Sequence, residues 1–214
     1  MAKINVHHPK IPINLRPVHF QEIYDEEDPY LHNCTLSNST IDGEVIDKAE
    51  FSQVVFKNII FHQVSFEKIE LTDVVFENCD LSNTNFMEGN LHRVEFKECK
   101  LLGVNLSESS MAHVLFKDSI LDLSSYGYSR FKQVRFESCS IKNADFYECT
   151  FHKLRFKQCD IDGMNLSGTA LKGMDLSDST FERITVSLED LEGCEVSSEQ
   201  AIGFASLLGL KVKT

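Results

Sequence analysis

Long apolar runs are missing from this sequence of 214 residues. No segment approaches the roughly 18 consecutive apolar residues of a membrane-spanning helix, so we expect no membrane span. The opening MAKINVHHPKIPINL also lacks the charged start, apolar stretch and small-residue cleavage site of a secretory signal. The expected location is therefore cytoplasmic.

Basic residues are in the minority. Lys and Arg number 21 against 33 Asp and Glu, which gives a formal net charge of −12. This balance argues against direct nucleic-acid binding and against anionic membrane surfaces, because both would repel the chain. It favours a partner that offers a basic protein surface.

Motifs for catalysis and metal binding are lacking as well. The sequence has no nucleophile–base set, Gly-rich phosphate loop, CxxC pair or His-x3-His spacing. The cysteines are odd in number and expected in a reducing compartment, which argues against disulfides. We therefore predict no enzyme activity, no catalytic or metal-binding residue and no cofactor.

An apolar residue at every fifth position is what the sequence has in abundance. In FKNIIFHQVSFEKIEL at 56–71, the bulky residues Phe56, Phe61, Phe66 and Leu71 lie five positions apart. A half-buried strand alternates with period 2 and an amphipathic helix repeats near 3.6, so neither explains this spacing. Steps of five from Leu31 to Val196 give 34 consecutive apolar positions, here called central positions, and 14 of the 16 Phe occupy them.

The position two residues before each central residue is usually small or apolar. All seven cysteines lie at such positions: Cys34, Cys79, Cys99, Cys139, Cys149, Cys159 and Cys194. A free cysteine behaves as a small, readily buried hydrophobic residue. We therefore interpret the cysteines as structural. The histidines within the repeat (His32, His62, His92, His113 and His152) occupy outward positions, where we expect solvated side chains.

A second period of 20 residues is superimposed on the first. It is clearest in the series Phe56, Phe76, Phe96, Phe116, Phe136 and Phe156. Like residues every four pentads predict a coil with four sides, one pentad a side, in which residue n lies over residue n+20. Stacked coils pair their backbone groups with one another at the usual inter-strand spacing of about 4.8 Å.

The pentads CDLSN at 79–83, ADFYE at 144–148 and MNLSG at 164–168 resemble the motif of the pentapeptide-repeat family. The resemblance covers residues 31–196 and implies an all-β, right-handed quadrilateral β-helix solenoid. The sequence departs from the motif just before several central positions, where Asn or Asp is replaced by an outward apolar residue. These residues are either contact surface or sequence drift: Val55, Ile60, Val75, Leu115 and Ile120.

Both ends of the repeat differ from it in composition. We expect residues 1–30 to form an N-terminal tail and a cap for the first coil, and a locally disturbed corner within 121–130. Residues 197–214 predict a short helix, capped by Ser197 or Ser198 and ended at Gly209, and then a short strand. Their apolar residues favour a dimer over a monomeric cap: Ile202, Phe204, Ala205, Leu207, Leu208, Leu210 and Val212.

Outward charges are distributed unevenly. The sides centred on Ile41 and Ile46, here the third and fourth sides, carry 13 acids against 5 bases, whereas the other two carry 14 against 11. We expect the acidic sides to bind a protein partner. The candidate residues are Glu67, Glu88, Glu108, Asp122, Asp145, Glu148, Asp160, Asp162 and Glu182.

The ending SSEQAIGFASLLGLKV resembles that of the bacterial Qnr quinolone-resistance proteins, which belong to the same repeat family. The resemblance implies a rod-shaped homodimer that mimics DNA, binds DNA gyrase and topoisomerase IV, and protects them from quinolones or inhibits their DNA binding. The projecting loops of many Qnr proteins are absent here, since the register runs unbroken from 31 to 196. The alternative is a scaffold solenoid that binds another protein through Ile60, Val75 and Leu115.

Overall fold

The computed structural model describes residues 4–25 and 27–212. One parallel sheet has its strands in chain order, from β1 to β8. The strands are β1 (Arg16–Pro17), β2 (Tyr30–Asp42), β3 (Glu50–His62), β4 (Glu70–Glu77), β5 (Asn90–Lys97), β6 (Ser110–Lys117), β7 (Arg130–Glu137) and β8 (Thr150–Lys157). A 3-10 helix lies at Phe20–Tyr24, and helix α1 (Ser198–Phe204) runs into a second 3-10 helix at Ala205–Leu208.

Successive coils are stacked in a register of 20 residues. Phe56 pairs with Phe76, and Phe76 pairs with Phe96. The two sides outside the strands keep the same spacing through single bridges, such as Asn85 to Asn105. The predicted four-sided β-solenoid is therefore confirmed, and each coil supplies hydrogen-bond partners for the backbone of the next.

The core is built from the central residues. Those from Leu31 to Phe146 are all buried, whereas Phe151, Phe181, Leu191 and Val196 are only partly covered. In the column from Phe56 to Phe156, neighbouring rings stack with centroids 4.6–5.1 Å apart. All seven cysteines are free, and six are fully buried. Their predicted role as small core residues is confirmed.

Most corners of the coil are made by the residue two places after a central one. This residue has a left-handed backbone, as at Asn78 (φ 52°), Asn83 (φ 57°) and Glu88 (φ 58°). Asn and Gly tolerate this region best. At Gly163 a side chain is excluded by space as well, because a Cβ atom there would lie 2.2 Å from Oδ1 of Asn143.

The predicted disturbance at 121–130 is wrong. The turns there are the same as in neighbouring coils, and Ser125 bridges both Asn105 and Asp145. The bulk of Tyr126 is accommodated because its ring is fully buried and stacks on Phe146, with centroids 4.4 Å apart. Its hydroxyl is buried without a hydrogen-bond partner. The adjacent Ser124 hydroxyl donates instead to the carbonyl oxygen of Leu121 at 2.6 Å.

The N-terminal region caps the first coil and then extends beyond it. Strand β1 pairs with Cys34 and Thr35, and the buried Phe20 ring lies 6.0 Å from that of Phe66. Residues 4–13, here called the strap, run along the outside of the sheet. Five hydrogen bonds tie the strap to five successive coils, through Gln53, Asp73, Glu95, His113 and Gln133.

The strap overturns two expectations about outward residues. Leu115 is only 3% exposed and His113 only 9%, although both face away from the coil interior. Exposed contact surface, one of the two interpretations of Leu115, is therefore wrong, and so is the solvated side chain expected at His113. Of the remaining histidines of the repeat, His32, His62 and His152 are exposed as expected, whereas His92 is half-buried.

The C-terminal helix closes the last coil. Ser197 caps α1 by accepting from the N–H of Gln200 at 3.2 Å, as predicted. The side-chain amide of Gln200 donates to the carbonyl oxygens of Leu176 and Ser179 at 2.9 and 2.8 Å, and thereby ties α1 to the end of the solenoid. Gly209 follows the helical region with φ +73°.

The short strand predicted after Gly209 is not formed. Residues 210–212 have no regular secondary structure, and Lys213 and Thr214 lie outside the described residues. A strand needs a neighbour to satisfy its backbone groups, and the described part of this single chain offers none at that end.

We predict that Tyr126→Phe stabilises the protein, by about 1 kcal/mol, because it removes a buried hydroxyl that lacks a partner. The measurement is chemical denaturation followed by circular dichroism. Tyr128→Phe, at a 56% exposed position on the same side, is the control and should change the free energy of unfolding by less than about 0.5 kcal/mol. A destabilised Tyr126→Phe would show that the hydroxyl is satisfied.

Candidate interaction surface

The acidic third and fourth sides face away from the strap. Strap contacts such as Asp73, His113 and Gln133 lie at the corner between the first and second sides. In a four-sided coil this corner is diagonal to the one between the acidic sides. The strap therefore leaves both acidic sides accessible.

Four of the nine candidate carboxylates project into solvent, and they are Glu88, Glu108, Glu148 and Glu182. Glu88, Glu108 and Glu148 occupy one corner column, each two places after a central residue. Lys68 lies 3.8 Å from Glu88. Within the described part of the chain, Glu108, Glu148 and Glu182 form no ion pair. An open depression lies beside this column, lined by Glu88, Glu108, Tyr128 and Arg130 among others.

Glu148 also acts on a neighbouring phenol. Its carboxylate accepts a hydrogen bond from Tyr147 and raises the pKa of that hydroxyl to about 12. The ring of Tyr147 lies edge-on to that of Tyr128, with centroids 5.5 Å apart. The corner column thus combines carboxylates with exposed aromatic side chains.

The other five candidates are partly buried and bonded within the solenoid. Asp122 accepts from the hydroxyl of Ser140 at 2.6 Å, Asp145 from the side-chain amide of Asn165 at 2.8 Å, and Glu67 from that of Asn85 at 3.0 Å. Asp160 pairs with Lys142 at 2.8 Å. Asp162 accepts the backbone N–H groups of Glu182 and Arg183 at 2.8 and 2.9 Å.

Sequence reasoning treated all nine carboxylates as surface charge and missed this division. One signal was available in the 20-residue register: Asn85, Asn105 and Asn165 occupy the same column as Asp145. Asp and Asn share the ability to accept a backbone N–H, whereas only Asp carries charge. Alternation of the two in a column therefore indicates a structural hydrogen bond.

Charges on the other two sides are largely paired. Lys57 lies 2.8 Å from Glu77, and Lys157 lies 3.3 Å from Glu137 on the neighbouring coil. Arg93 donates two hydrogen bonds to Asp73, at 2.5 and 2.7 Å. The Lys57–Glu77 and Lys157–Glu137 pairs are exposed or partly exposed and add little stability, whereas Asp73 is buried; all three pairs neutralise the sides that carry them.

The C-terminal end exposes apolar side chains. Ile202 is 53% exposed, Leu207 41%, Leu210 59% and Val212 49%. Phe204 is half-buried because its ring packs 5.7 Å from that of Phe181, and Ala205 is also partly covered. The side chain of Leu208, another predicted interface residue, lies outside the description.

The outward apolar residues do not form one patch. Ile60 and Ile120 are 51% and 48% exposed, but two coils that carry Asp80 and Lys100 separate them in the same column. Val55 and Val75 are half-buried. With Leu115 under the strap, no continuous apolar face remains among these five residues.

Across residues 4–25 and 27–212, no group of His, Cys, Asp and Glu is arranged to hold a metal ion. Over the same residues, no helix has the length and apolar character needed to cross a bilayer.

The fold and its exposed faces define an elongated β-solenoid of repeated pentads. The chain belongs to the pentapeptide-repeat family: the family model described as "Pentapeptide repeat region" matches residues 69–126 and 129–201, and "Pentapeptide repeats (8 copies)" matches 48–88. No curated protein sequence matches the chain significantly.

Several solved structures match the chain at low sequence identity and with TM-scores below 0.5. A trypsin-treated form of QnrB1, a plasmid-mediated fluoroquinolone resistance protein, is 15% identical with a TM-score of 0.33, over 84% of this chain and 100% of that one. HetL, a pentapeptide repeat protein involved in heterocyst differentiation regulation in the cyanobacterium Nostoc sp. strain PCC 7120, is 14% identical with a TM-score of 0.30, over 78% and 83%. Rfr23 from the cyanobacterium Cyanothece 51142 is 8% identical with a TM-score of 0.20, over 74% and 91%.

We predict that Asp162→Ala destabilises the solenoid by about 1 kcal/mol, since two backbone N–H groups lose their acceptor. These N–H groups lower the pKa of Asp162 below its usual 3.8, so its stabilisation is present above that pH and is lost as pH falls through the lowered value. The measurement is denaturant unfolding at neutral pH and near pH 3 (about one unit below the usual pKa).

Glu148→Ala is the matched control for Asp162→Ala, because it removes an exposed carboxylate from the same pair of sides. Its effect on the free energy of unfolding should stay within about 0.5 kcal/mol. Equal effects of the two changes would contradict the division between structural and exposed carboxylates.

Proposed function

We propose that this protein is a cytoplasmic, non-enzymatic DNA mimic that binds DNA gyrase or topoisomerase IV through its acidic sides. Binding would compete with DNA and either protect the topoisomerase from quinolones or inhibit it. The observation that carries the proposal is the uncovered column of Glu88, Glu108 and Glu148, exposed along one corner of the rod. The C-terminal resemblance to Qnr proteins supplies the choice of partner.

The spacing of charge along the rod supports this proposal. Adjacent coils are about 4.8 Å apart, so Glu88 and Glu108 place carboxylates at about that interval, and Glu148 follows two coils after Glu108 with Tyr128 between them. A single strand of B-DNA carries one phosphate per about 3.4 Å of axis. The two intervals are of the same order, and a basic surface shaped for one DNA strand would also attract this column.

The rival proposal of a scaffold that binds through outward apolar residues has less support. It depended on Ile60, Val75 and Leu115, and Leu115 is buried under the strap while Val75 is half-buried. Only Ile60 of these three offers substantial apolar surface. Salt separates the proposals, since an exposed charge-led complex weakens with ionic strength and an apolar one hardly responds.

The test is the triple variant Glu88→Gln/Glu108→Gln/Glu148→Gln. We expect gyrase binding to weaken at least tenfold, which is about 1.4 kcal/mol, and inhibition or quinolone protection in a supercoiling assay to fall with it. Circular dichroism should remain unchanged, because all three side chains are exposed at corners and the one contact between coils, the 3.8 Å exposed pair of Glu88 with Lys68, adds little stability.

A second triple variant controls for net charge. Glu77→Gln/Glu98→Gln/Asp118→Asn removes three charges from the second side, and we expect gyrase affinity to change less than about threefold, or 0.7 kcal/mol. Equal losses in the two triples would mean that overall charge, not the corner column, drives binding. Unchanged binding of the first triple would contradict the proposed surface.

We further propose that the C-terminal apolar surface pairs two copies into a homodimer. Four exposed apolar residues beyond the last coil exceed what closing one rod end requires. A two-fold pairing would bury the same patch on both copies and could place a second chain beside residues 210–212, which form no strand in the single chain.

Ile202→Asp should yield monomers in sedimentation velocity, because it places a charge at a 53% exposed position of the proposed interface. Phe204→Asp is less decisive, since the Phe204 ring also packs on Phe181 within the chain. Leu188→Asp, at a 47% exposed position on the fourth side, is the control and should leave the dimer intact. A persisting dimer of Ile202→Asp would place the interface elsewhere.

A further inference from the structure

The strap meets two kinds of hydrogen-bond acceptor on the sheet. Near its middle, the N–H of Lys10 donates to Asp73 at 2.8 Å and the His8 ring contacts Glu95 at 2.5 Å. Nearer its start, the N–H of His7 donates to Nδ1 of His113 at 3.3 Å. The acceptors are thus carboxylates at the middle and a neutral imidazole nitrogen at the start.

The His7–His113 contact requires an uncharged His113. Nδ1 accepts a hydrogen bond only while it carries no proton. The two rings also stack in parallel, with centroids 4.1 Å apart and planes 6° from parallel. The ring of His92 meets that of His113 edge-on at 5.9 Å. A proton on Nδ1 would point at the N–H of His7 and would place a charge among aromatic rings.

Cations face His113 from several elements, whereas the nearby carboxylates are already paired. Asp73 binds Arg93 and the N–H of Lys10, and Glu95 contacts His8 and Lys97. The charged and titratable groups around His113 are His7, His8 and Lys10 of the strap, Asp73 of β4, His92, Arg93, Glu95 and Lys97 of β5, and Lys132 of β7. Little negative charge is therefore left to stabilise a positive charge on His113.

We propose that the strap is a pH-dependent flap: protonation of His113 releases residues 4–7 from β6 and β7, while residues 8–10 stay anchored to Glu95 and Asp73. Opening uncovers a sheet face that includes Leu115 and the side chain of Gln133, which bonds the carbonyl oxygen of Asn5 at 2.8 Å in the closed form. The device regulates access to a face that is distinct from the acidic sides.

The direction in which pH shifts the equilibrium between the closed and the open strap follows from the pKa of His113. Burial, followed by His7 and His92, lowers the pKa of His113 below its usual 6.5. His113 therefore favours closure fully above pH 6.5, and this contribution is lost as pH falls from 6.5 through the lowered value.

The carboxylate anchors respond in a different pH range. Burial opposes the ionisation of both Asp73 and Glu95, but their partners outweigh it. Arg93 and the N–H of Lys10 lower the pKa of Asp73 below its usual 3.8. Lys97 and His8 lower the pKa of Glu95 below its usual 4.5. Both anchors therefore stay ionised while His113 titrates. The contacts of His8 with Glu95 and of the Lys10 N–H with Asp73 therefore persist, which confines the opening to the residues before them.

The test is amide hydrogen exchange by NMR on the full chain at about pH 7.5 and about pH 5.5, on either side of the histidine range, corrected for the intrinsic rate. We expect protection of the His7 amide to fall up to about tenfold at the lower pH. The Lys10 amide, bonded to Asp73, should keep its protection and serves as an internal control.

His113→Gln keeps an acceptor for the His7 N–H but does not titrate, so its His7 amide should stay protected at both pH values. His62→Gln, an exposed histidine paired with Asp42, is the control and should behave like the natural chain. Protection of His7 that is independent of pH in the natural chain would overturn the proposal. So would an equal fall in His113→Gln, or a fall of Lys10 together with His7.

Discussion

Hydrogen bonding between successive coils is the constraint on which the rest of the molecule depends. Each coil supplies backbone partners to the coil 20 residues away, so the chain must return to the same place after every four pentads. This return demands an inward residue at every fifth position and a left-handed corner after most of them. It also leaves each end coil without a neighbour on one side, where β1 provides backbone partners at one end and the Gln200 side chain bonds the Ser179 carbonyl at the other.

A stack built this way leaves the interior filled, and function is confined to the outside. Columns of side chains run along the rod, and their chemistry depends on position within the pentad. Residues beside the central one bond to the next coil, as Asp122 and Asp145 do, whereas corner residues such as Glu108 project into solvent. Position within the pentad therefore influences whether a carboxylate bonds within the solenoid or projects into solvent.

Periodicity made most of the fold predictable, because each feature recurs many times. The five-residue period, the Phe column and the place of the cysteines were all readable from the sequence, and the structure agrees. The strap was not predictable, since its contacts occur once and join residues up to 128 positions apart. Leu115 was its only trace, an apolar residue at an outward position. The division of the carboxylates was missed because each Asp or Glu was interpreted as surface charge, although it can also accept a structural hydrogen bond. The expected C-terminal strand is not formed because a strand needs a neighbouring strand.

A stack of equivalent coils has no intrinsic length, because removing or duplicating 20 residues would leave every interface between neighbours intact. The strap changes this. It touches Gln53, Asp73, Glu95, His113 and Gln133, one residue on each of five successive coils, with hardly any slack between its own residues 5 and 10. The strap therefore matches a fixed number of coils along the rod. Loss or gain of a coil between Gln53 and Gln133 would move some of these residues out of reach of their partners in the strap. The strap therefore sets the number of coils between its contacts, in a fold that otherwise tolerates any number.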